Sequence, residues 1–243
     1  MRLLTLNLRQ DLDRWPERLP LVVAALAEAD ADVIALQEVA LPIEQDALLA
    51  EALGGYAVHR APKWGDAANA EAVSLLTRVP VAAHEFLELP GPGGRVAQRI
   101  EVAHDGRALH VVNTHLHHEP FDDESVREPQ LRTILGWLRD CGSLPSCVLL
   151  GDLNATPGSS TLVAARESLT AVLPDHLPTF PTALATASFA PVQIDHVLHS
   201  PGLRVAHAGL VADGPSGDDP RLYPSDHVGI LAELGSTPVR LGS

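Results

Sequence analysis

The feature that most constrains the fold of this chain is a series of short apolar segments that end in polar residues. Residues 3–6, 33–36, 109–112 and 147–150 are largely apolar, and such segments between turn signals are typical of buried strands. The polar residues that adjoin these and two later segments are acids, amides and imidazoles: Asn7, Gln37, Glu38, Asn113, His115, Asp152, Asn154, Asp195, His196, Asp226 and His227. A rigid scaffold presents its chemical groups where buried strands end, so this pattern predicts a functional site.

Strand-like and helix-like segments alternate at both ends of the chain, around a middle that is rich in strands. Apolar spacing predicts helices over residues 15–29, 42–53, 125–139 and 159–167, although Pro129 favours a later start for the third. Strands are predicted over residues 1–8, 32–36, 56–60, 72–77, 81–89, 95–103, 108–114, 147–150, 194–198, 205–211 and 228–234, and a loop over 174–193. Two packed sheets with helices outside, in one domain of residues 1–243, satisfy this pattern.

Composition narrows the class of protein. A chain of 243 residues with 46% apolar residues can bury a large core, and its 4% aromatic content leaves that core to aliphatic side chains. The formal net charge is −14 and no run rich in Arg or Lys occurs, which disfavours a protein that holds duplex DNA mainly through its phosphates. The acidic balance suits carboxylates arranged around a cation. Abundant Ala, Gly and Pro, with Lys63 as the only lysine, suggest a bacterial gene of high GC content.

Several common classes lack their signatures here. Cys141 and Cys147 do not form a zinc pattern, so we expect two reduced thiols. The N-terminus has no signal-peptide core, and no apolar stretch reaches the ~20 residues of a membrane span, which predicts a cytoplasmic monomer. No nucleophile elbow, P-loop or dinucleotide fingerprint is present. Each polar residue alone fits a turn, a cap or a core position, but together they suit a hard cation and an activated water.

The polar residues belong to longer strings that occur in a recognisable order. The strings LTLNL, IALQEV, NTHL, GDLNATPGS, TFP, QIDHVL and SDHVGI run through nearly the whole chain. In this order they resemble the motifs of the endonuclease/exonuclease/phosphatase superfamily. The resemblance implies an α/β fold, a four-layer α/β/β/α sandwich of two packed mixed sheets flanked by helices. It also implies hydrolysis of a phosphoester bond with Mg²⁺ or Mn²⁺ as cofactor.

The resemblance assigns roles to the residues of the early and middle motifs. Glu38 matches the glutamate that ligates the metal ion in the family. Asn7 and Asp226 would lie in or near the metal's ligand shell, through oxygen atoms or bound water. Asp152 would act as the general base on the attacking water, and Asn154 would hydrogen-bond a phosphate oxygen.

The histidines have roles implied in the same way. His227 and Asp195 match residues that pair in the family, where the carboxylate orients the imidazole and favours its charged form. A cationic His227 would then bind the phosphoryl group. His115 would be a second donor to the phosphate or to the leaving group. Which of Asp152 and His227 is the base stays open at this point.

Two further residues are substrate-binding candidates, and two positions depart from the family pattern. Glu71 resembles an element near the family's site, and Arg95 matches an arginine that the family places before this strand. Arg99 competes with Arg95, and solvated surface positions explain Glu71 and Arg95 equally well. Arg9 stands where the abasic-site nucleases carry aspartate, and Gln193 stands where an arginine is usual. Both departures weaken the transfer of a specific substrate.

The substrate class follows from the compact chain and its charge. Both favour a phosphodiester or phosphomonoester of a small molecule or a lipid headgroup. The alternative is a DNA or RNA nuclease with weak, metal-mediated contact to the nucleic acid. A silent relative that only binds a phosphorylated ligand would have lost a metal or base residue, and none is missing. We expect residues 213–224 to form a mobile loop beside Asp226 that gates the substrate. His117 and His118 are interpreted as surface histidines.

Overall fold

Twelve strands and four helices make up the part of the chain that the computed structural model describes, residues 1–118, 120, 123–185 and 190–235. The helices are α1 (Trp15–Ala29), α2 (Gln45–Leu53), α3 (Arg127–Asp140) and α4 (Ser160–Arg166). The strands are β1 (Arg2–Asn7), β2 (Val33–Ala40), β3 (Ala57–Pro62), β4 (Glu71–Thr77), β5 (Val81–Glu88), β6 (Val96–His104), β7 (Arg107–His115), β8 (Cys147–Asp152), β9 (Thr170–Ala171), β10 (Asp195–His199), β11 (Val205–Val211) and β12 (Gly229–Leu234).

The strands form two six-stranded mixed sheets. The first sheet has the order β11-β12-β1-β2-β4-β3 and the second β5-β6-β7-β8-β10-β9. The pairs β1–β2 and β7–β8 are parallel, and the other pairs are antiparallel. The parallel pair therefore lies at the centre of each sheet, with antiparallel strands outside it.

Three apolar layers hold these sheets and helices together. Between the sheets lie side chains from both, among them Leu3, Val33, Val111, Val148 and Ile230. The outer face of the first sheet packs against α1 and α2, and that of the second against α3 and α4. The structure thus confirms the predicted α/β/β/α sandwich.

The face of each sheet that packs against the other sheet continues, at one end of the strands, into a row of polar side chains. Successive side chains of a strand point to opposite faces, so Asn7 lies on the same face of β1 as Leu3. By the same count His115 follows Val111 on β7, and Asp152 follows Val148 on β8. The apolar inner face thus becomes acidic, amide and imidazole at one end of the sandwich.

Hydrogen bonds between buried amide side chains connect the two sheets next to this row of polar residues. The Gln37 Nε2 on β2 donates to the Asn113 Oδ1 on β7 at 2.7 Å. The Asn113 Nδ2 in turn donates to the backbone oxygens of Leu36 and Ser74 in the first sheet, at 3.0 and 2.9 Å. Gln37 and Asn113 are fully buried, so these bonds satisfy groups that would otherwise be costly to bury.

A bulge in β2 turns Glu38 toward the same end. Leu36 and Val39 both pack on the outer face, although three positions on a regular strand would place them on opposite faces. The pairing with β4 shifts register between these two residues, and Glu38 has a φ of +53°. The extra residue lets Gln37 and Glu38 both leave the outer face, as bulges beside active sites commonly do.

Two arginines fasten the loops around this end. Arg18 of α1 is fully buried, and its Nη1 donates to the backbone oxygens of Leu8 at 2.9 Å and Pro224 at 3.3 Å. Arg14 forms an ion pair of 2.7 Å with Asp219 in the loop before Pro224. The segment after β1 and the segment before β12 are therefore tied to the same helix.

The structure corrects several predicted boundaries. Helix α3 begins at Arg127, before Pro129, because a proline in the first turn breaks no helical hydrogen bond. Helix α2 begins only at Gln45, since Glu44 has a left-handed φ of +47°. Strand β9 was not predicted, and residues 186–189 of the predicted 174–193 loop lie outside the described residues. Among the residues described, none of the helices combines the length and apolar character that crossing a bilayer requires.

Gly151 offers a test of how closely β7 and β8 approach. It has a φ of +142°, and a Cβ there would lie 2.0 Å from the Thr114 carbonyl oxygen. We expect Gly151→Ala to lower the free energy of unfolding by at least ~3 kcal/mol, because a paired backbone carbonyl cannot move aside. Gly106→Ala, with a φ of +73° and open space at Cβ, is the matched control and should cost about 1 kcal/mol. Urea unfolding measures both, and equal losses would contradict this account.

Candidate active site

The polar end of the sandwich opens into a cleft of about 1070 Å³. Its lining comes from both sheets: Gln10, Glu38, Lys63, Glu71, Arg95, His115, His118, Pro120, Asp152, Asn154, Phe180, Ala190, Val192, Ile194, Asp226 and His227. All the residues to which the resemblance assigned a role line this cleft except Asn7 and Asp195, which contact its lining side chains. Gln37, Asn113 and His196 do not line it. The sequence motifs, far apart in the chain, are therefore brought together in one place.

Asn7 joins the acidic side chains of the two sheets. Its Nδ2 donates to the Glu38 Oε1 at 3.1 Å and to the Asp152 Oδ2 at 3.0 Å. Its Oδ1 accepts the backbone N–H of Arg9 at 2.9 Å, which fixes the orientation of the amide. One buried amide therefore holds a carboxylate from β2 and a carboxylate from β8 beside each other.

Glu38 is held as an ionised acceptor that still faces the cleft. Its Oε2 accepts the backbone N–H of Gln10 at 2.9 Å, while its Oε1 accepts Asn7. Hydrogen bonds to both oxygens favour the charged form of a carboxyl group. Its side chain keeps 22% of its surface exposed, so a ligand in the cleft can reach it.

Asp152 lies at the centre of the cluster and is almost fully buried. Its Oδ1 accepts the Asn154 backbone N–H at 2.9 Å, and its Oδ2 lies 3.5 Å from the His115 Nε2 and 3.8 Å from the His227 Nε2. Burial, together with the Asp195 carboxylate opposite it on β10, raises the pKa of Asp152 above its ordinary value. A carboxylate in this setting is a stronger base than one in water.

His227 forms a buried ion pair with Asp195. The His227 Nδ1 lies 2.9 Å from the Asp195 Oδ2, and the Phe180 ring lies against the imidazole with 4.6 Å between ring centroids. Burial alone lowers the pKa of His227, but the Asp195 carboxylate outweighs it and raises that pKa to about 10. His227 therefore presents a cationic Nε2 toward Asp152 at neutral pH.

His115 is the neutral imidazole of the site. Its Nδ1 lies 3.5 Å from the Glu71 Oε1, and its Nε2 faces Asp152. Burial and the nearby Arg95 cation hold the pKa of His115 well below its usual range. The two histidines of the cleft therefore differ in charge, because the Asp195 carboxylate lies at hydrogen-bond distance from His227, whereas the carboxylates nearest His115 lie 3.5 Å away and Arg95 opposes its protonation.

Two titratable residues that line the cleft, Lys63 and His118, were not predicted from the sequence to belong to the site. The Lys63 Nζ donates to the Glu71 Oε2, and the His118 Nδ1 accepts from the Arg95 Nη2 at 3.0 Å. His118 was interpreted as a surface histidine, and it is exposed, yet it lines the cleft. Being the only lysine was the one signal that marked Lys63 in the sequence.

Arg9, the first departure from the family pattern, contacts the site directly. Its Nη1 donates to the Asp226 Oδ2 at 2.7 Å, and the Asp226 Oδ1 lies 3.3 Å from the Ser225 hydroxyl. Each Asp226 oxygen therefore already has a partner. The structure places Asp226 at the rim of the cluster, apart from the shared amide of Asn7.

The donor set of the cleft fits a divalent cation. Ligating atoms of Glu38, His115 and Asp152 lie within 4.8 Å of one another, as do those of Asp152, Asp195 and His227. In the second group Asp195 and His227 already pair with each other at 2.9 Å, so the first group is the better candidate. Carboxylate oxygens with room for water suit a hard cation such as Mg²⁺.

Comparison with known proteins agrees with this geometry. The model of the endonuclease/exonuclease/phosphatase family matches residues 4–227, and the chain belongs to that family. No curated protein matches the chain in sequence.

Solved structures of the family share the fold. A family member from Bacteroides vulgatus superposes with a TM-score of 0.82 at 20% identity, covering 97% of this chain and 98% of that one. A mannosyl-6-phosphatase from Bacteroides thetaiotaomicron has a TM-score of 0.80 at 19% identity, covering 97% and 100%. TDP2 from D. rerio, complexed with a single-strand DNA product, has a TM-score of 0.81 at 18% identity, covering 97% and 99%.

The Asp195–His227 pair gives a pH-dependent prediction. The pKa of His227 in the folded protein, about 10, lies above its ordinary value of 6.5, so the pair's stabilisation is complete below pH 6.5 and is lost as pH rises through 10. In Asp195→Asn the pKa of His227 should fall, since the carboxylate is gone. Urea unfolding of both proteins between pH 6 and 10.5 should show their difference in stability shrink by at least ~2 kcal/mol with rising pH. A difference that stays constant would contradict the ion pair.

Proposed function

We propose that the protein is a divalent-metal-dependent hydrolase of a phosphodiester or phosphomonoester, acting on a small molecule or a lipid headgroup. The observation that carries the proposal is the convergence of Glu38 and Asp152 on the Asn7 amide, with the His227 cation 3.8 Å from Asp152. A carboxylate for a cation, a buried base and a fixed positive group are what attack of water on a phosphoester requires. Membership of the phosphoesterase family supports the same reaction.

Glu38 is the principal residue for holding Mg²⁺ or Mn²⁺. Asn7 would contribute through a bound water, since its own oxygen is occupied by the Arg9 backbone, and Asp226 would contribute from the rim. When bound, the ion supplies Lewis-acid polarisation of a phosphoryl oxygen and a lowered pKa for water. Proton transfer from the attacking water and binding of the phosphoryl group are carried out by side chains of the protein.

Asp152 is the better general base of the two that the sequence left open. A histidine with a pKa of about 10 is already protonated at neutral pH and cannot accept a proton. Asp152 is a carboxylate whose pKa is raised by burial, it lines the cleft, and its Oδ2 lies 3.5 Å from the His115 Nε2 and 3.8 Å from the His227 Nε2. It therefore receives the proton of the attacking water.

His227 and Asn154 bind the phosphoryl group. The imidazolium, oriented by Asp195, donates a hydrogen bond from its Nε2 to a phosphoryl oxygen as negative charge builds up there, and keeps its proton. The Asn154 Nδ2 donates one hydrogen to the Leu116 carbonyl at 3.2 Å and keeps a second for the substrate. Neutral His115 contributes a hydrogen bond to the phosphate or to the leaving group.

The substrate class rests on the size and lining of the cleft. A cleft of about 1070 Å³ with apolar residues such as Phe180 and Val192 on one wall suits a small molecule or headgroup. The mannosyl-6-phosphatase among the structural relatives is consistent with a phosphomonoester. A nuclease is the second candidate, supported by the single-strand DNA product bound to TDP2 and opposed by the net charge of −14.

Hydrolysis assays test the reaction class. The panel contains p-nitrophenyl phosphate, bis-p-nitrophenyl phosphate, sphingomyelin, plasmid DNA and short RNA, each with Mg²⁺, with Mn²⁺ and with EDTA. We expect metal-dependent turnover that EDTA abolishes. Turnover confined to the nucleic acids would favour the nuclease, and turnover that EDTA leaves unchanged would contradict the metal-dependent reaction.

Substitutions test the roles on the best substrate of that panel. Asp152→Asn and His227→Gln should each lower kcat by at least ~10²-fold, because each removes a positioned acid/base or charge-stabilising group. Glu88→Gln, at an exposed position on β5, is the control for loss of one acidic residue and should keep normal activity. Near-normal rates in both Asp152→Asn and His227→Gln would exclude the mechanism.

A further inference from the structure

Arg95 is a buried cation whose hydrogen bonds are incomplete. Only 3% of its surface is exposed, yet its Nε and Nη1 have no acceptor within the part of the chain that the structure describes. Its Nη2 alone is anchored, at 3.0 Å from the His118 Nδ1. A buried guanidinium with unused N–H groups is costly unless a ligand completes it, and Arg95 lines the cleft where a ligand would bind.

The neighbouring carboxylate does not complete Arg95. The Glu71 Oε1 lies 4.0 Å from the Arg95 Nη1, too far for a hydrogen bond, and the Glu71 Oε2 is taken by the Lys63 Nζ. Lys63 and Arg95 therefore share the Glu71 carboxylate, and only Lys63 is hydrogen-bonded to it. Burial accordingly lowers the pKa of Arg95, as expected for a cation without a full counter-charge.

Arg95 and Lys63, with Glu71 between them, are separate from the residues that are proposed to bind the reacting phosphoryl group. His115 stands between them, because its Nδ1 faces Glu71 and its Nε2 faces Asp152. Asp152 and His227 lie on one side of that imidazole, and Glu71 with its two cations lies on the other. A phosphoryl group at Asp152 and His227 therefore leaves Arg95 and Lys63 available for a different part of the substrate.

We propose that Arg95 and Lys63 form a second anion-binding site, and that the substrate is a small molecule with a second anionic group besides its reacting phosphoryl. That group is a phosphate or a carboxylate, both of which match the donor geometry of a guanidinium. This inference rests on the proposed function and narrows its substrate class. It also explains why Glu71 is present, since a carboxylate between two buried cations reduces their mutual repulsion in the empty cleft.

Calorimetry with matched ligand pairs tests the second site. The pairs are glycerol 3-phosphate with 3-phosphoglycerate, which adds a carboxylate, and fructose 6-phosphate with fructose 1,6-bisphosphate, which adds a phosphate. Binding is measured with Mg²⁺ on the full chain carrying Asp152→Asn, and phosphate release is assayed in parallel. In at least one pair, the ligand with the second anion should bind ~10-fold or more tightly, the worth of one charge-assisted contact. The responding pair distinguishes carboxylate from phosphate.

Variants on this background assign the effect to the two cations. Adding Arg95→Gln should reduce the preference for the second anion to less than ~3-fold, and adding Lys63→Met should also reduce it. Arg107→Gln, at an exposed arginine on β7, is the matched control and should leave the preference unchanged. Circular dichroism and Tm confirm that each variant is folded, and Lys63→Met alone decides if Arg95→Gln does not fold.

Two results would overturn the second site. One is the absence of any preference for the second anion in both pairs. The other is an equal loss of affinity for both members of a pair in Arg95→Gln, which would place Arg95 on the shared phosphoryl group. Failure of the proposed function looks different, because wild-type protein would then hydrolyse no member of the phosphomonoester and phosphodiester panel while the calorimetric preference remained.

Discussion

The site depends on one buried amide that bridges the two sheets. Asn7 donates to Glu38 in its own sheet and to Asp152 in the other, and so holds two carboxylates together that would otherwise repel each other. Its orientation comes from the Arg9 backbone and its position from the inner face of β1. An amide with both hydrogens used in this way holds the two carboxylates in place before any ligand binds.

Charge is distributed over the cleft in separate groups. His227 is cationic because Asp195 is its partner, and His115 is neutral because burial and Arg95 oppose its protonation. Asp152, between the two imidazoles, is left with a raised pKa. The same low-dielectric surroundings that strengthen these pairs also make the unfilled hydrogen bonds of Arg95 costly. In the proposed anion site, the donors of Arg95 are therefore in place before the ligand binds.

The sequence predicted the features that depend on local periodicity and chain order. Short apolar runs placed Asn7, His115 and Asp152 at or beside strand ends, and the motif order added Glu38 and His227 to the same predicted site. Single strands of five to nine residues carry this signal because side chains alternate strictly along them. The layered architecture followed from the same pattern.

Features that depend on contacts between distant segments were not predictable. Lys63 reaches Glu71 because the segment after β3 is held by the Trp64 N–H on the Gly94 carbonyl, at 3.0 Å. The bulge at Glu38 requires a positive φ, and the position holds neither of the residues, glycine or asparagine, that would have indicated one in the sequence. The Arg9–Asp226 ion pair joins residues separated by 217 positions, so neither residue's surroundings in the sequence reveal it. In each case the geometry depends on contacts with another segment of the chain, which the residue's own neighbours in the sequence do not reveal.

The most direct test of the account is a crystal structure of the protein with Mn²⁺ and inorganic phosphate, with the ion located by anomalous scattering. The account predicts one strong manganese peak in the cleft in contact with the Glu38 carboxylate, and a phosphate that contacts His227 and Asn154. A cleft that binds phosphate but no manganese, or a manganese ion bound only elsewhere on the protein, would contradict the central role of the carboxylates that Asn7 holds together.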